Sequence, residues 1–177
     1  MSLISAPSHL DVPFAATFVT VSTAEEMEQA VLKHTVKADA LVMAAAVSDF
    51  TVSNTSQEKI KRKEEKLTLK LVATDDILMQ VATARKKSHK PDVVIGFAAE
   101  SKDLIKNAEN KLIDKDLDMI VANDISSQDG GFEVDKNKVT LLIKGSENID
   151  YPLLGKSEVA VKITDQLVKL LKKTRAG

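Results

Sequence analysis

From Phe18 onward, short β-branched runs alternate with segments whose apolar residues recur every three to four positions. That is the pattern of a mainly parallel sheet with crossover helices, so the expected fold class is α/β. TFVTV (17–21) is the first strong strand. A helix opens at Thr23, where Thr-Ala-Glu-Glu sets Glu26 three residues on as a capping box, and its buried side is expected at Met27, Ala30 and Val31. ALVMAAA (40–46) is the next strand, followed by a polar stretch without Gly or Pro from about Ser48 to Lys66. LTLKLVA (67–73) alternates, which predicts a further strand of the sheet with one wet face. Asp75 can cap a helix running to about Lys87, and Pro91 introduces VVIGFAA (93–99), apolar throughout and expected to be central. A helix from about Lys102 to Asp116 leads into MIVAND (119–124). Beyond Gly130-Gly131, FEVD and KVTLLIKG read as two arms of a hairpin bent at Asp135 to Asn137. A closing helix over Ser157–Lys173 carries Ala160, Ile163, Leu167, Leu170 and Leu171 on one stripe.

Composition narrows what such a fold can do. At 177 residues with 44% hydrophobic content, the chain is expected to form a single domain with one sizeable core. Its 25 basic and 26 acidic residues leave a formal charge of -1, with no positive surplus to hold a nucleic-acid backbone. Five Phe and one Tyr are too few for a base-stacking platform. There is no cysteine, hence no thiolate nucleophile and no soft metal site, which suits a reducing cytoplasm. No apolar run approaches the roughly 20 residues that span a bilayer. A soluble, cytoplasmic protein is expected.

In an open parallel sheet, ligands collect at the carboxyl ends of the strands. Three candidate ends, AAAVSD (44–49), GFAAES (96–101) and VANDIS (121–126), combine small side chains with an acid or amide. A ligand could lie against their backbone while a carboxylate takes a hydroxyl or a metal-bound water; alternatively, the small residues allow tight helix-to-sheet packing. Lys59-Ile60-Lys61-Arg62-Lys63 could close over a triphosphate as a flap, or be a solvated charge run paired with Glu64 and Glu65. Asn107, Lys111 and Lys115 fall four apart and share a helix face; the lysines could reach the same phosphates, or pair with Glu109 or Asp114. His9, His34 and His89 have no ligand spacing and read as surface or loop residues, so no metal site is built into the chain. Neither G-x-G-x-x-G nor G-x-x-x-x-G-K-[ST] occurs, which removes the fingerprint of a dinucleotide oxidoreductase.

The ordered set AAAVSDF, EKIKR, GFAAES and VANDIS closely resembles the phosphopantothenoylcysteine synthetases, from about Leu3 to the C-terminal helix. The resemblance implies a three-layer Rossmann-like fold, a homodimer, and a ligase of coenzyme A biosynthesis. CTP, with Mg²⁺, activates the carboxylate of 4′-phosphopantothenate as an acyl-cytidylate, which the amine of cysteine then attacks. It also implies roles. Ala45 and Ala46 line the acyl-cytidylate site, and Asp49 sits near the ribose or the Mg²⁺. Lys59 matches the flap lysine, with Lys61 and Arg62 beside it. Phe97 and the backbone of Gly96 and Ala98 belong to the nucleotide pocket, Lys111 and Lys115 lie near the triphosphate, and Asn123 and Asp124 match the family's AND turn.

Relative to the family the chain starts late, since Leu3-Ile4-Ser5 resembles the end of the second strand. The first strand, its Gly-rich loop and the following helix are not in it, nor is the decarboxylase often fused upstream, so no flavin is expected here. A sheet without that strand and helix is expected to leave apolar area uncovered, at roughly 25 cal/mol per Å². Thr74-Asp75-Asp76 stands where bacterial relatives often carry Asn-Pro-Asp. The alternative to an active ligase is thus a truncated nucleotide-binding fragment that needs a partner chain. The segment 132–143 is a candidate dimer contact, because exposed strand edges invite pairing.

Overall fold

The computed structural model describes residues 1–56, 58–59, 67–100, 102–125 and 136–176. In chain order the elements are β1 (Ser2–Ser5), β2 (Thr17–Thr20), α1 (Ala24–Thr35), β3 (Ala40–Met43), β4 (Phe50–Val52), β5 (Leu71–Ala73), α2 (Ile77–Ser88), β6 (Val93–Glu100), α3 (Leu104–Asp114), β7 (Met119–Asp124), β8 (Lys136–Ile143), β9 (Ile149–Gly155) and α4 (Lys156–Ala176). They fall into two compact units, Met1–Ala30 with Ala45–Ile77, and Val31–Ala44 with Leu78–Gly177.

In the first unit, β1 and β2 pair in parallel, with Leu3 opposite Phe18. The predicted capping box forms at the start of α1. The Glu26 amide donates to Thr23 Oγ1 at 3.1 Å, and the Glu26 carboxylate accepts from the Thr23 and Ser22 amides at 3.2 and 2.6 Å. Together these satisfy amides that a helix start otherwise leaves unpaired. Met27 and Val31 are buried as expected, whereas Ala30 is half-buried.

LTLKLVA does not extend the main sheet. Only Leu71–Ala73 is strand, and it pairs antiparallel with Phe50–Val52 as a separate two-stranded sheet. The Ser53 amide donates to the Lys70 carbonyl and the Thr74 amide to the Asp49 carbonyl, closing both ends of the ladder. Backbone pairing, not a buried face, holds these strands, because Phe50, Leu71 and Val72 are all exposed. Leu67, Leu69 and Phe14 are exposed too.

The second unit holds a mixed sheet in the order β3-β6-β7-β8-β9. Strands β3, β6 and β7 run parallel, and β8 and β9 return antiparallel. VVIGFAA is interior as predicted, flanked by β3 and β7. Alternation gives each strand two faces. Val93 and Ile95 of β6, Met119 and Val121 of β7, and Val139 and Leu141 of β8 form one core cluster with Val159 and Ile163 of α4. The opposite face takes α2 and α3, with Leu78, Ala108, Leu112 and Leu117 buried. The result is three layers, helix on sheet on helix.

Three expectations change here. The hairpin is β8–β9, not one bent at Asp135 to Asn137: Lys136 and Asn137 are already in β8, opposite Gly155 and Leu154. FEVD and the remainder of that bend lie outside the described residues. Strand β8 is paired on both sides, so over 136–143 it offers no free edge for a dimer contact. On α4 the buried stripe runs through Val159 rather than Ala160, which is exposed.

Ion pairs tie the amino ends of the parallel strands together. Arg85 of α2 meets the Asp118 carboxylate at 2.9 Å and donates to the Asp92 and Asp116 carbonyls at 2.6 and 3.2 Å. Lys90 bridges Asp92 at 2.9 Å and Asp39 at 3.4 Å, and Arg175 near the end of α4 also reaches Asp39 at 3.2 Å. Lys144 donates to Asp116 at 2.6 Å, and that bond holds the Asp116 carboxyl below its ordinary value of 3.8. A carboxyl whose folded-state value is depressed stabilises the fold above its unfolded value, and loses that contribution as pH falls through the lower folded one. Lys144→Gln is therefore expected to lower stability at neutral pH by less than about 1 kcal/mol, the pair being exposed. The gap from the unsubstituted chain should close as Asp116 protonates. Urea titrations at pH 7 and pH 3 read both values; an equal gap at the two would show that the pair is not linked to Asp116 ionisation.

Candidate functional site

The described strand ends do not all behave alike. ALVM is strand, but β3 stops at Met43, and Ala44, Ala45 and Ala46 follow it as exposed chain leading to the exposed Asp49. The collapse in side-chain size thus marks where the strand ends. Ala45, Ala46, Asp49 and the exposed Lys59 belong to the first unit. Lys61 and Arg62 lie outside the described residues.

The remaining candidates gather in the second unit, at the carboxyl ends of β6 and β7, where Ala98 pairs with Ala122, Ala99 with Asn123 and Glu100 with Asp124. Alternation divides them between the faces. Phe97 is half-buried and packs on the α4-side core, and Asn123, two residues past Val121, points to that side. Gly96, Ala98, Glu100 and Asp124 take the α3 side.

Gly96 is buried, and a Cβ there would lie 2.8 Å from Leu117 Cδ1 and 3.4 Å from Leu78 Cδ1. Leu117 is itself fully buried, so it has little room to yield. Of the two readings of these small residues, packing accounts for this glycine and equally for Ala98, which is 3% exposed.

Helix α3 brings the cations. It is shorter than predicted, beginning after Asp103, whose left-handed backbone at φ 49° makes no side-chain cap. Asn107 and Lys111 lie within it, and Lys115 closes it, its amide donating to the Lys111 carbonyl. Lys111 Nζ donates to Glu100 Oε1 at 2.6 Å, both side chains partly buried. Neither Glu109 nor Asp114 takes that role. The pair holds an ammonium group beside the carboxyl end of β6, aimed by a carboxylate that any incoming anion must displace or share.

Two functional candidates were not singled out from the sequence. Glu100 stands inside GFAAES, and its parity with Gly96 and Ala98 already placed it on the lysine face. Asn137 was assigned to a bend; its side-chain oxygen, like that of Asn123, is buried and has no hydrogen-bond partner among the described residues.

If Lys111 receives phosphate, freeing it should help. Glu100→Gln is expected to tighten binding of a nucleoside triphosphate several-fold, because a charge-assisted bond no longer competes for the ammonium. Isothermal calorimetry on the two proteins checks this; weaker or unchanged binding would show that Glu100 and Lys111 serve only each other.

The second unit is a Rossmann-like three-layer fold with a cation-bearing helix at the carboxyl edge of its sheet. The chain belongs to the family described as the DNA/pantothenate metabolism flavoprotein C-terminal domain, whose model matches residues 1–171. It is 36% identical over 173 residues to a coenzyme A biosynthesis bifunctional protein CoaBC of Bacillus subtilis, covering 97% of this chain and 42% of that protein. It is also 38% identical over 154 residues to a prokaryotic protein named cysteine/cysteine sulfinic acid decarboxylase, covering 86% of this chain and 42% of that one. The chain therefore spans less than half the length of these relatives. Among solved structures, the C-terminal domain of a coenzyme A biosynthesis bifunctional protein CoaBC superposes with a TM-score of 0.78 at 32% identity, over 97% of this chain and 74% of that one.

Proposed function

We propose that this chain is the ligase part of a coenzyme A biosynthesis protein, joining 4′-phosphopantothenate to cysteine at the expense of CTP. The observation that carries the reading is the family match across residues 1–171. The names of the 36% identical relative and the 32% identical solved domain support it.

The chemistry takes two steps. The phosphopantothenate carboxylate attacks the α-phosphorus of CTP, forming an acyl-cytidylate and releasing pyrophosphate. The cysteine amine then attacks the acyl carbon, forming the amide and releasing CMP, with the amine proton passing to solvent. The first step brings an anion toward an anion, so cations that neutralise the triphosphate are the main catalysts, and that step needs no general base.

In this reading Lys59, Lys61 and Arg62 supply cations for the triphosphate, as do Lys111 and Lys115 of the second unit. Asp49 takes a ribose hydroxyl or a water of the nucleotide's Mg²⁺. Ala45 and Ala46 leave room for the acyl-cytidylate, whose base lies by Phe97 and the backbone of Gly96 and Ala98. Asn123 and Asp124 complete the edge. Among the described residues no three His, Cys, Asp or Glu side chains converge on a common point. That suits a Mg²⁺ carried in by phosphate oxygens rather than held in a protein cage. The proposal includes a homodimer, a cytoplasmic location, and a flavin decarboxylase, fused or separate, that consumes the product. Among the described residues no helix is long and apolar enough to cross a membrane.

The test is product formation. With CTP, Mg²⁺, phosphopantothenate and cysteine, mass spectrometry should find phosphopantothenoylcysteine in step with CMP. Binding of CTP by calorimetry without any amide would overturn the ligase reading in favour of a nucleotide-binding fragment.

A further inference from the structure

Between the end of β3 and the start of β4 the chain runs without regular structure through Ala44–Ser48 and then bends at Asp49. All of these residues except the half-buried Val47 are exposed, so burial does little to fix where the Asp49 carboxylate points. Hydrogen bonds from a single distant residue do it instead. Thr74 Oγ1 donates to the Ser48 carbonyl at 2.6 Å, and the Thr74 amide donates to the Asp49 carbonyl at 2.9 Å. The three residues all lie in the first unit.

The two acceptors belong to the peptide planes on either side of the Asp49 Cα. Such planes are rigid, and only φ and ψ turn between them. Tying both planes to one residue therefore restrains φ and ψ of Asp49 together, and with them the direction of its Cα–Cβ bond. The amide bond is what antiparallel pairing supplies at the end of the β4–β5 ladder. The hydroxyl bond is a second tether that the pairing does not require, and a valine would fill the same volume without making it.

We propose that Thr74 is a positioning residue of the nucleotide site, aiming the Asp49 carboxylate through the backbone. The inference rests on the functional reading above, in which Asp49 takes a ribose hydroxyl or a water of the nucleotide's Mg²⁺. An exposed aspartate on irregular chain would otherwise give up backbone freedom when the nucleotide binds, which weakens binding. The tether removes that freedom beforehand.

The experiment compares Thr74→Val, which keeps the shape and the amide but drops the hydroxyl, with Thr74→Ser, which keeps the hydroxyl, both made in the full-length protein. In Thr74→Val the KM for CTP is expected to rise about three- to tenfold, the worth of one hydrogen bond. Both kcat and the KM for cysteine should stay near those of the parent, as loss of uniform nucleotide binding requires. Thr74→Ser should remain within about twofold of the parent, and both variants should melt within about 2 °C of it. Added to Asp49→Ala, Thr74→Val should cost nothing further, because the tether then aims a group that is no longer there. An equal penalty with and without the Asp49 carboxylate overturns the assignment. So do KM values for CTP and cysteine that rise together, and a Thr74→Val protein that melts well below the parent or does not fold, since each makes Thr74 a structural residue. An Asp49→Ala protein that uses CTP as the parent does also overturns it, and leaves the ligase reading standing. A parent protein that forms no amide overturns that reading, and this assignment with it.

Discussion

Lys59→Gln is expected to lower phosphopantothenate-dependent pyrophosphate release by roughly 10²–10³-fold, the usual cost of removing one group that stabilises transition-state charge. Glutamine keeps the length and a donor but not the charge, so the loss reports on neutralisation of the triphosphate. Lys59 is exposed, and exposed substitutions of this kind usually change stability by less than about 0.5 kcal/mol. The thermal midpoint should therefore match that of the parent. Pyrophosphate release that survives the change would remove Lys59 from catalysis. A fall in release that tracks a fall in midpoint would make it a structural residue.

Arg85→Ala should have the largest effect on stability. Its guanidinium meets the Asp118 carboxylate and two backbone carbonyls at once, joining the end of α2 to the starts of β6 and β7. Asp118 would keep the Val94 amide, which donates to it at 2.7 Å, but would lose its cation while still only 24% exposed. Exposed pairs contribute up to about 1 kcal/mol and breaking a fully buried one costs about 3–5, which places this partly buried pair at about 2–3. In a chain of this size that corresponds to a fall in midpoint of roughly 5–10 °C. Arg85→Lys should recover only part of it, since an ammonium group cannot present the planar fork. A midpoint within 1–2 °C of the parent, within the roughly 0.5 kcal/mol of an ordinary surface change, would show that the clasp contributes little.

Much of the fold was legible where its signals are local or continuous. The runs 93–99 and 119–122 are apolar without interruption, which only strands covered on both faces need, and both belong to interior strands. The Thr23–Glu26 box forms because its two partners are three residues apart and need nothing else from the fold. The misreadings share a cause, in that each depended on partners distant in sequence. LTLKLVA (67–73) alternates like a half-buried strand, yet only Leu71–Ala73 is strand, its partner is Phe50–Val52 and neither strand buries a face. Ile149–Gly155 carries Pro152, which argues against a strand interior; as β9 it sits at the sheet edge, beside a register shift between Lys138 and Thr140, where proline is tolerated.

The candidate site divides in the same way. Its residue types could be placed at strand ends from small-residue patterning, and their particular roles came from resemblance. The Glu100–Lys111 pair joins a strand end to a helix 11 residues on, too far for helix-face spacing to find. The buried oxygen of Asn137 became visible only once β8 was known to start at Lys136 rather than after a bend.

Activation of a carboxylate by transfer of a nucleotidyl group is the claim on which the functional reading depends. Isotope exchange between labelled pyrophosphate and CTP, with cysteine left out, tests it most directly. Reversible formation of an acyl-cytidylate requires that label enter CTP only when 4′-phosphopantothenate is present, and that cysteine then drain the exchange into CMP and amide. Release of CDP and inorganic phosphate in place of exchange, or exchange indifferent to phosphopantothenate, would contradict it.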